Sequence, residues 1–315
     1  MARRPSVRQL QYLVAVAEQG HFGRAADQCS VTQSTLSAGI RELEEVLGTV
    51  VLERDRRTIG LTPIGQDIVA RARAIIGQVD DLVAAAQAGH DPLNGPLRLG
   101  VIPTISPFLL PRILPPLRAA RPDLKLFLTE EVTDRLVGRL ADGAMDVILL
   151  ALPYEATGLE TVEIIPDPFF VACRRDHPIA ALSVIEPASL ADAPLLLLSD
   201  GHCLHDHALA ACRLPSRPDR RAFEGTSLHT LVQMVANGLG VTLLPKLALD
   251  AGILAGTDVV VRPLFADAAG RSIGLGWRQG SPRAGGFREM ARLLCALDAD
   301  TRPGEIGPQR AAGVV

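Results

Sequence analysis

The chain reads as an α/β protein of two unequal parts joined by a long helix. Three observations predict this. Apolar residues recur at helical spacing through residues 6–62, a single apolar stripe runs through 63–89, and strand-like and helix-like runs alternate from Pro96 onward. Such alternation predicts a mainly parallel sheet packed against helices. At 315 residues the chain is long enough for two or three domains.

In the first part, Leu10, Leu13, Val14 and Ala17 mark one helix, which Gly20-His21-Phe22-Gly23 breaks. Arg24-Ala25-Ala26-Asp27-Gln28-Cys29 is a short second helix whose small residues permit close packing, with Cys29 as buried filler. Ser30-Val31 turns, and Thr32 is a good N-cap for an amphipathic helix from Gln33 to Gly48, with Leu36, Ile40, Leu43 and Leu47 on its core face. A hairpin follows over residues 49–61. Two helices with a short turn, the second opening in small polar residues, match a helix-turn-helix, which lays the start of its second helix in a DNA major groove.

Ile64, Ile68, Ala72, Ile75, Ile76, Val79, Leu82 and Val83 line one face of the linker helix, predicting a paired, dimeric helix. Gly89 to Gly95 interrupts the chain. Strands are then expected at 97–102, 124–128 and 146–152, with helices at 108–120 and 134–142 between them. A second unit occupies 166–268; a strand at 273–277 and a helix at 283–299 return to the first. Residues 301–315, rich in Gly, Pro and polar residues, are predicted to be disordered.

The net charge of −3 excludes a globally basic nucleic-acid binder but not a local basic surface. Residues 1–62 carry Arg3, Arg4, Arg8, Arg24, Arg41, Arg54, Arg56 and Arg57 against a nearly equal set of acids, so basic groups there must be segregated onto one face. No apolar run reaches the roughly 18 residues that span a bilayer, and the N-terminus lacks a secretory core. A cytoplasmic protein is expected, without a membrane partner. In that compartment a disulfide is usually transient and functional.

The cysteines are Cys29, Cys173, Cys203, Cys212 and Cys295. An odd, scattered set argues against a structural framework. Cys203 follows Gly201-His202 and lies among three histidines; Cys212 ends a helix-like segment nine residues on. A helix would hold the two about 13 Å apart along its axis, whereas a disulfide needs Cα atoms within about 7 Å. Pairing them would break the helix, a switch rather than a staple. Two other readings stand beside it: buried bystander thiols, and a zinc site drawing on His202, Cys203, His205, His207 and Cys212.

Ala25-Ala26, Gln33-Ser34-Thr35-Leu36-Ser37, Ile40-Arg41-x-Leu43-Glu44-x-x-Leu47-Gly48, Leu52-Glu53-Arg54 and Leu61-Thr62-Pro63-Ile64-Gly65 stand in order. Together they resemble the winged helix-turn-helix of LysR-type transcription regulators, with Ile64 where Ala is commoner. The resemblance implies a winged helix-turn-helix (1–62), a dimerising linker helix (63–89), and a two-lobed regulatory domain similar to periplasmic binding proteins. Lobe I would take 96–165 plus 269–300, and lobe II 166–268. Within such a motif Gln33, Ser34, Thr35 and Ser37 would meet base edges, and Arg24, Arg41, Arg54, Arg56 and Arg57 would meet phosphates.

The segment Gly201-His202-Cys203-x-x-Asp206-x-Ala208-x-x-x-Cys212 further resembles the sensing segment of the OxyR branch, the hydrogen peroxide sensors. Flanking matches are Gly100 to Pro107, Thr226-Ser227-Leu228, Val241 to Pro245 and Gly274 to Pro282. This resemblance implies that Cys203 is peroxidatic and Cys212 resolving, joined by a reversible disulfide. Thr104 and Thr133 would hold peroxide, with His202, Asp206 and Arg278 beside it. His205 stands where the family often has Arg, replacing a permanent cation by one only partly charged at neutral pH. The histidines near Cys203 are expected to add positive charge. No cofactor is implied. Implied partners are promoter double-stranded DNA, hydrogen peroxide, RNA polymerase, a thiol reductant of the glutaredoxin or thioredoxin type, and further copies in a homodimer or homotetramer.

Two other functions are distinguishable. An ordinary LysR regulator would bind a small effector between the lobes and show no thiol requirement. A thiol peroxidase fused to a DNA-binding arm would turn over excess peroxide, but no Cys-x-x-Cys is present to suggest a dedicated reductant site.

Overall fold

The computed structural model describes residues 4–54, 59–87, 93, 95–190, 193–199, 201, 203–212, 221–225, 227–265 and 270–301. Two compact units are present, one of residues 1–92 with 138–146 and 280–283, and one of residues 93–137, 147–279 and 284–315.

The first unit comprises α1 (Val7–Gln19), α2 (Phe22–Gln28), α3 (Gln33–Leu47), β1 (Leu52–Arg54), β2 (Ile59–Leu61) and α4 (Pro63–Gln87). Each of the first three helices has a side-chain cap. Ser6 and Gln9 form a reciprocal capping box on α1. His21 Nδ1 accepts from the backbone of Gly23 and Arg24 at the start of α2. Thr32 Oγ1 accepts from Thr35 N, 3.2 Å, at the start of α3. Gly48, with φ 67°, ends α3 in the left-handed conformation that glycine adopts without strain. Leu13, Leu36, Ile40 and Leu43 are fully buried in a core shared with Val51 and Leu52. A Cβ on Gly39 would lie 2.7 Å from the Tyr12 ring, so α1 and α3 approach too closely there for a larger residue. Antiparallel pairing of β1 with β2, Leu52 opposite Leu61, forms the wing. The apolar stripe of α4 divides: Ala72 enters this core beside Val69, with Ile68 and Ile76 partly buried against it, while Ile64, Ile75, Leu82 and Val83 are exposed.

The second unit contains, in order, β3 (Gly95–Val101), α5 (Ser106–Ala120), β4 (Leu124–Glu130), α6 (Thr133–Ala141), β5 (Val147–Leu152), β6 (Leu159–Asp167), β7 (Phe169–Arg174), α7 (Pro187–Leu190), β8 (Leu195–Leu198), α8 (Cys203–Ala211), β9 (Arg221–Gly225), α9 (Leu228–Ala236), β10 (Thr242–Pro245), α10 (Lys246–Asp250), β11 (Val259–Pro263), β12 (Arg271–Arg278) and α11 (Ala284–Thr301). One sheet has the order β4-β3-β5-β12-β6, another β10-β7-β11, and β8 pairs β9.

The mainly parallel sheet expected from the alternation is corrected to a mixed one. β3 is parallel to β4 and β5, and β8 to β9, but β12 is antiparallel to both β5 and β6, and β7 to both its neighbours. The reason is topological: β12 returns from the far end of the chain, with no crossover helix to set its direction. All six residues of β5 are buried, as a strand covered on both faces requires. Trp277 and Phe287 close that core with ring centroids 5.7 Å apart.

Candidate redox site and nucleic-acid interface

The redox segment begins where β8, buried along its whole length, delivers the chain to a turn at Gly201, φ 92°. Cys203 is the first residue of α8 and is partly exposed. Leu204, His205, Ala208 and Ala211 form the buried face of the helix. Cys212 follows its last residue with no exposed surface, and burial pushes its thiol up to about 12. All five thiols are free. The two ends of α8 thus carry opposite thiols, one reachable and one sealed, about 13 Å apart along the helix.

The histidines divide in role. His205 is 4% exposed and its Nδ1 donates to the Leu198 carbonyl, 3.0 Å, bracing α8 against β8. His207 lies one helical turn after Cys203; its Nε2–H donates to the Pro153 carbonyl, 3.0 Å, just past β5. Desolvation lowers the pKa of His207, Arg271 acts in the same direction, and the Pro153 carbonyl and Asp206 oppose them. The expected positive charge is therefore corrected at His207, which is neutral at neutral pH. Its Nδ1 is buried with no hydrogen-bond partner among the described residues. His202 lies outside the described residues.

Tyr154, next to Pro153, donates its hydroxyl to Asp134 Oδ1 at 2.9 Å. Burial, then the hydrogen bond and charge of Asp134, push the phenol up to about 12, with a smaller contribution from Cys203. Thr133, beside Asp134 at the start of α6, is 2% exposed, and its hydroxyl has no hydrogen-bond partner among the described residues. Thr104 is equally buried. Its hydroxyl oxygen accepts from Arg271 Nη1, 2.8 Å, and its carbonyl from Nη2, 3.1 Å. Arg271 Nε donates to Asp167 Oδ2 at 2.9 Å, while Asp167 Oδ1 accepts from Leu247 N at 2.8 Å. Arg271 thereby orients the Thr104 oxygen while leaving its hydroxyl hydrogen to donate elsewhere.

Of the residues expected at this site, Thr104 is bonded to Arg271, Thr133 precedes the Asp134 that holds Tyr154, Cys203 begins α8, and Asp206 is exposed on the first turn of that helix. Arg278 is corrected. It ends β12 opposite Leu159, whereas Arg271 begins the strand beside the end of β5. Seven strand residues separate them by about 23 Å, beyond the reach of any side chain. Sequence reasoning missed Arg271, Asp167, Tyr154 and Asp134, and gave His207 no role of its own. Only His207 had a local signal, its spacing of four from Cys203.

At the start of α3 Gln33, Ser34 and Thr35 are exposed and Ser37 is half-buried, the disposition a base-reading helix needs. The exposed Arg41 continues the helix, and the exposed Arg24 on α2 donates to the Gln19 carbonyl at 2.7 Å. Arg54 ends β1, and Arg56 and Arg57 lie outside the described residues. Among the described residues no group of three or more His, Cys, Asp or Glu is placed to hold a metal ion, and no helix is long and apolar enough to cross a membrane.

Comparison with known proteins follows this division. Residues 7–66 match the family of bacterial regulatory helix-turn-helix proteins of the lysR type, and residues 90–296 match the LysR substrate binding domain. The HTH-type transcriptional regulator EstR of Acinetobacter baylyi is 39% identical, over 95% of this chain and 99% of that one. The hydrogen peroxide-inducible genes activator of Escherichia coli O157:H7 is 40% identical, over 92% of this chain and 95% of its own. A solved full-length OxyR variant from Pseudomonas aeruginosa superposes with TM-score 0.80 at 35% identity, covering 97% of this chain and all of the other. The chain belongs to the LysR family of helix-turn-helix transcription regulators, on its OxyR branch.

Proposed function

We propose that this regulator senses hydrogen peroxide through a reversible Cys203–Cys212 disulfide and controls antioxidant genes. The observation that carries the reading is the placement of a reachable thiol at one end of α8 and a sealed one at the other. In the first step the Cys203 sulfur attacks one peroxide oxygen, the O–O bond breaks, and sulfenic acid and water result. The sulfenic acid then condenses with the Cys212 thiol, releasing a second water and forming the S–S bond. Thr133 and Thr104 supply hydroxyls to hold peroxide beside Cys203, with Asp206 and His202 assigned to polarise or position it.

Because α8 holds the sulfurs too far apart, the second step melts the helix and frees Cys212. The resulting shift is read by DNA-binding modules paired through α4 in a homodimer or homotetramer. Gln33, Ser34, Thr35 and Ser37 read bases, and Arg24, Arg41, Arg54, Arg56 and Arg57 hold phosphates. The protein works in the cytoplasm with RNA polymerase, and a glutaredoxin- or thioredoxin-type dithiol resets it.

The test is to treat the reduced full-length chain with one equivalent of hydrogen peroxide and map its disulfides by mass spectrometry. A Cys203–Cys212 bond reversed by dithiol is expected; peroxide-dependent promoter activation persisting in Cys203→Ser would overturn the reading. The second reading, a small effector held between the lobes, draws on the likeness to EstR, whose name carries no reference to peroxide. It predicts a dissociable ligand and a response indifferent to both cysteines.

A further inference from the structure

We infer that His207 is the proton carrier of the Cys203 reaction, taking the thiol proton as peroxide is attacked and returning it to the departing oxygen. This rests on the peroxide-sensing reading above and adds to it the group that balances its protons. Three observations support it. His207 stands four residues after Cys203 on α8, where i and i+4 side chains share a face, and helical side chains lean toward the N-terminus and so toward Cys203. The Pro153 carbonyl can only accept, so Nε2 carries the ring hydrogen and Nδ1 carries a lone pair. Nδ1 is buried with no hydrogen-bond partner among the described residues, a costly state for a ring nitrogen unless it has work in the liganded site.

The step balances without an outside acid or base. The thiol S–H proton passes to Nδ1, directly or through the bound peroxide, as the sulfur electron pair forms the S–O bond. The O–O pair leaves with the distal oxygen as hydroxide, Nδ1–H protonates it to water, and His207 returns to its neutral form. Sulfur is oxidised by two electrons and peroxide is reduced by two. The charged and titratable groups around His207 fit a transient role. Buried Arg271 discourages a standing imidazolium, while the Pro153 carbonyl and exposed Asp206 oppose that effect. Desolvation keeps the ring unprotonated at neutral pH, ready to accept.

The test uses the reduced full-length chain and its His207→Gln and His207→Ala variants, with Cys203 oxidation by hydrogen peroxide followed against pH. Cys203 alkylation by iodoacetamide is measured in parallel at alkaline pH, because iodide leaves without a proton. In His207→Gln the peroxide rate is expected to fall on the order of 100-fold, the usual scale of general acid–base catalysis, with alkylation unchanged and the histidine limb of the pH profile lost. Added imidazole is expected to restore part of the rate in His207→Ala. Equal peroxide rates in all three proteins, or a parallel fall in oxidation and alkylation, would overturn the inference and leave His207 a structural brace. If Cys203 of the unsubstituted chain is not oxidised at all, the sensing reading itself fails and this inference falls with it, an outcome distinct from the other two.

Discussion

Helices α3 and α8 are built to opposite specifications. The DNA-reading helix has fifteen residues, a threonine N-cap, a left-handed glycine at its end, and a buried face of Leu36, Gly39, Ile40 and Leu43. The redox helix has nine residues, below the length at which a helix is stable by itself in water, and it depends on its surroundings. The helix itself carries a buried ring nitrogen, His207 Nδ1, with no hydrogen-bond partner among the described residues, and it is followed by a sealed thiol whose escape would require the helix to open. One element is overdetermined so that its side chains stay aimed; the other is held with little to spare, as the proposed breaking and re-forming of α8 requires.

This contrast can be broken most severely at Cys203. Cys203→Ser is expected to abolish the peroxide response while leaving DNA binding intact, measured by promoter activation beside operator affinity; loss of both would mean that the two regions are not separable. Next in size is Leu36→Ala. Leu36 is fully buried, and its truncation is expected to cost about 2–5 kcal/mol, read by thermal denaturation and by loss of DNA binding at unchanged Cys203 reactivity. At the interface itself, Gln33→Ala is expected to cost about 1–3 kcal/mol of discrimination at one base pair. Arg41→Ala should instead weaken all sequences alike and reduce the salt dependence by about one charge, both read by titration against operator variants.

A matched pair sharpens the comparison. Ala38→Gly in α3 and Ala210→Gly in α8 each carry a helix-propensity cost of about 1 kcal/mol. In α3 that loss should leave function unchanged, whereas in α8 it should lower the peroxide concentration needed for disulfide formation. The smallest expected effect is with pH. The folded pKa of His207 is depressed below 6.5, so its contribution to folding is complete above that value and is lost as pH falls through the folded pKa. Amide hydrogen exchange should show protection in α8 weakening as pH drops below 6.5, with α3 unaffected once the intrinsic exchange rate is corrected.

How much was legible in the sequence follows the same division. The bounds of α3 could be read to the residue, because capping and the 3.6-residue period are local signals, as at Thr32 and Gly48, whereas α2 begins two residues before the expected Arg24, with His21 as its cap. Cys203 and Cys212 were also visible, since their spacing along α8 is local. What surrounds them was not. Asp167 and Arg271 are 104 residues apart and meet only through the register of β6 with β12. The alternation of strands and helices gave no hint that β12 runs antiparallel. Arg278 was chosen on the right strand but at the wrong end, because motif similarity marks a segment without saying which end faces the site. The exposed His229 ring stacks on Phe108 at 5.5 Å, a contact between α9 and α5 that no local pattern encodes.

The ion pair of Arg271 with Asp167, whose side chains are 0% and 1% exposed, has a consequence for inheritance. A lineage that loses either partner first must pass through a chain with an uncompensated buried charge, a step that typically costs about 3–5 kcal/mol, comparable to the whole stability margin of many domains. No single-nucleotide route from this pair to an apolar pair is neutral along its length. Descendants of this chain should therefore keep both residues or have replaced both, and a lineage carrying only one of them should have changed Thr104 or the Leu247 turn as well.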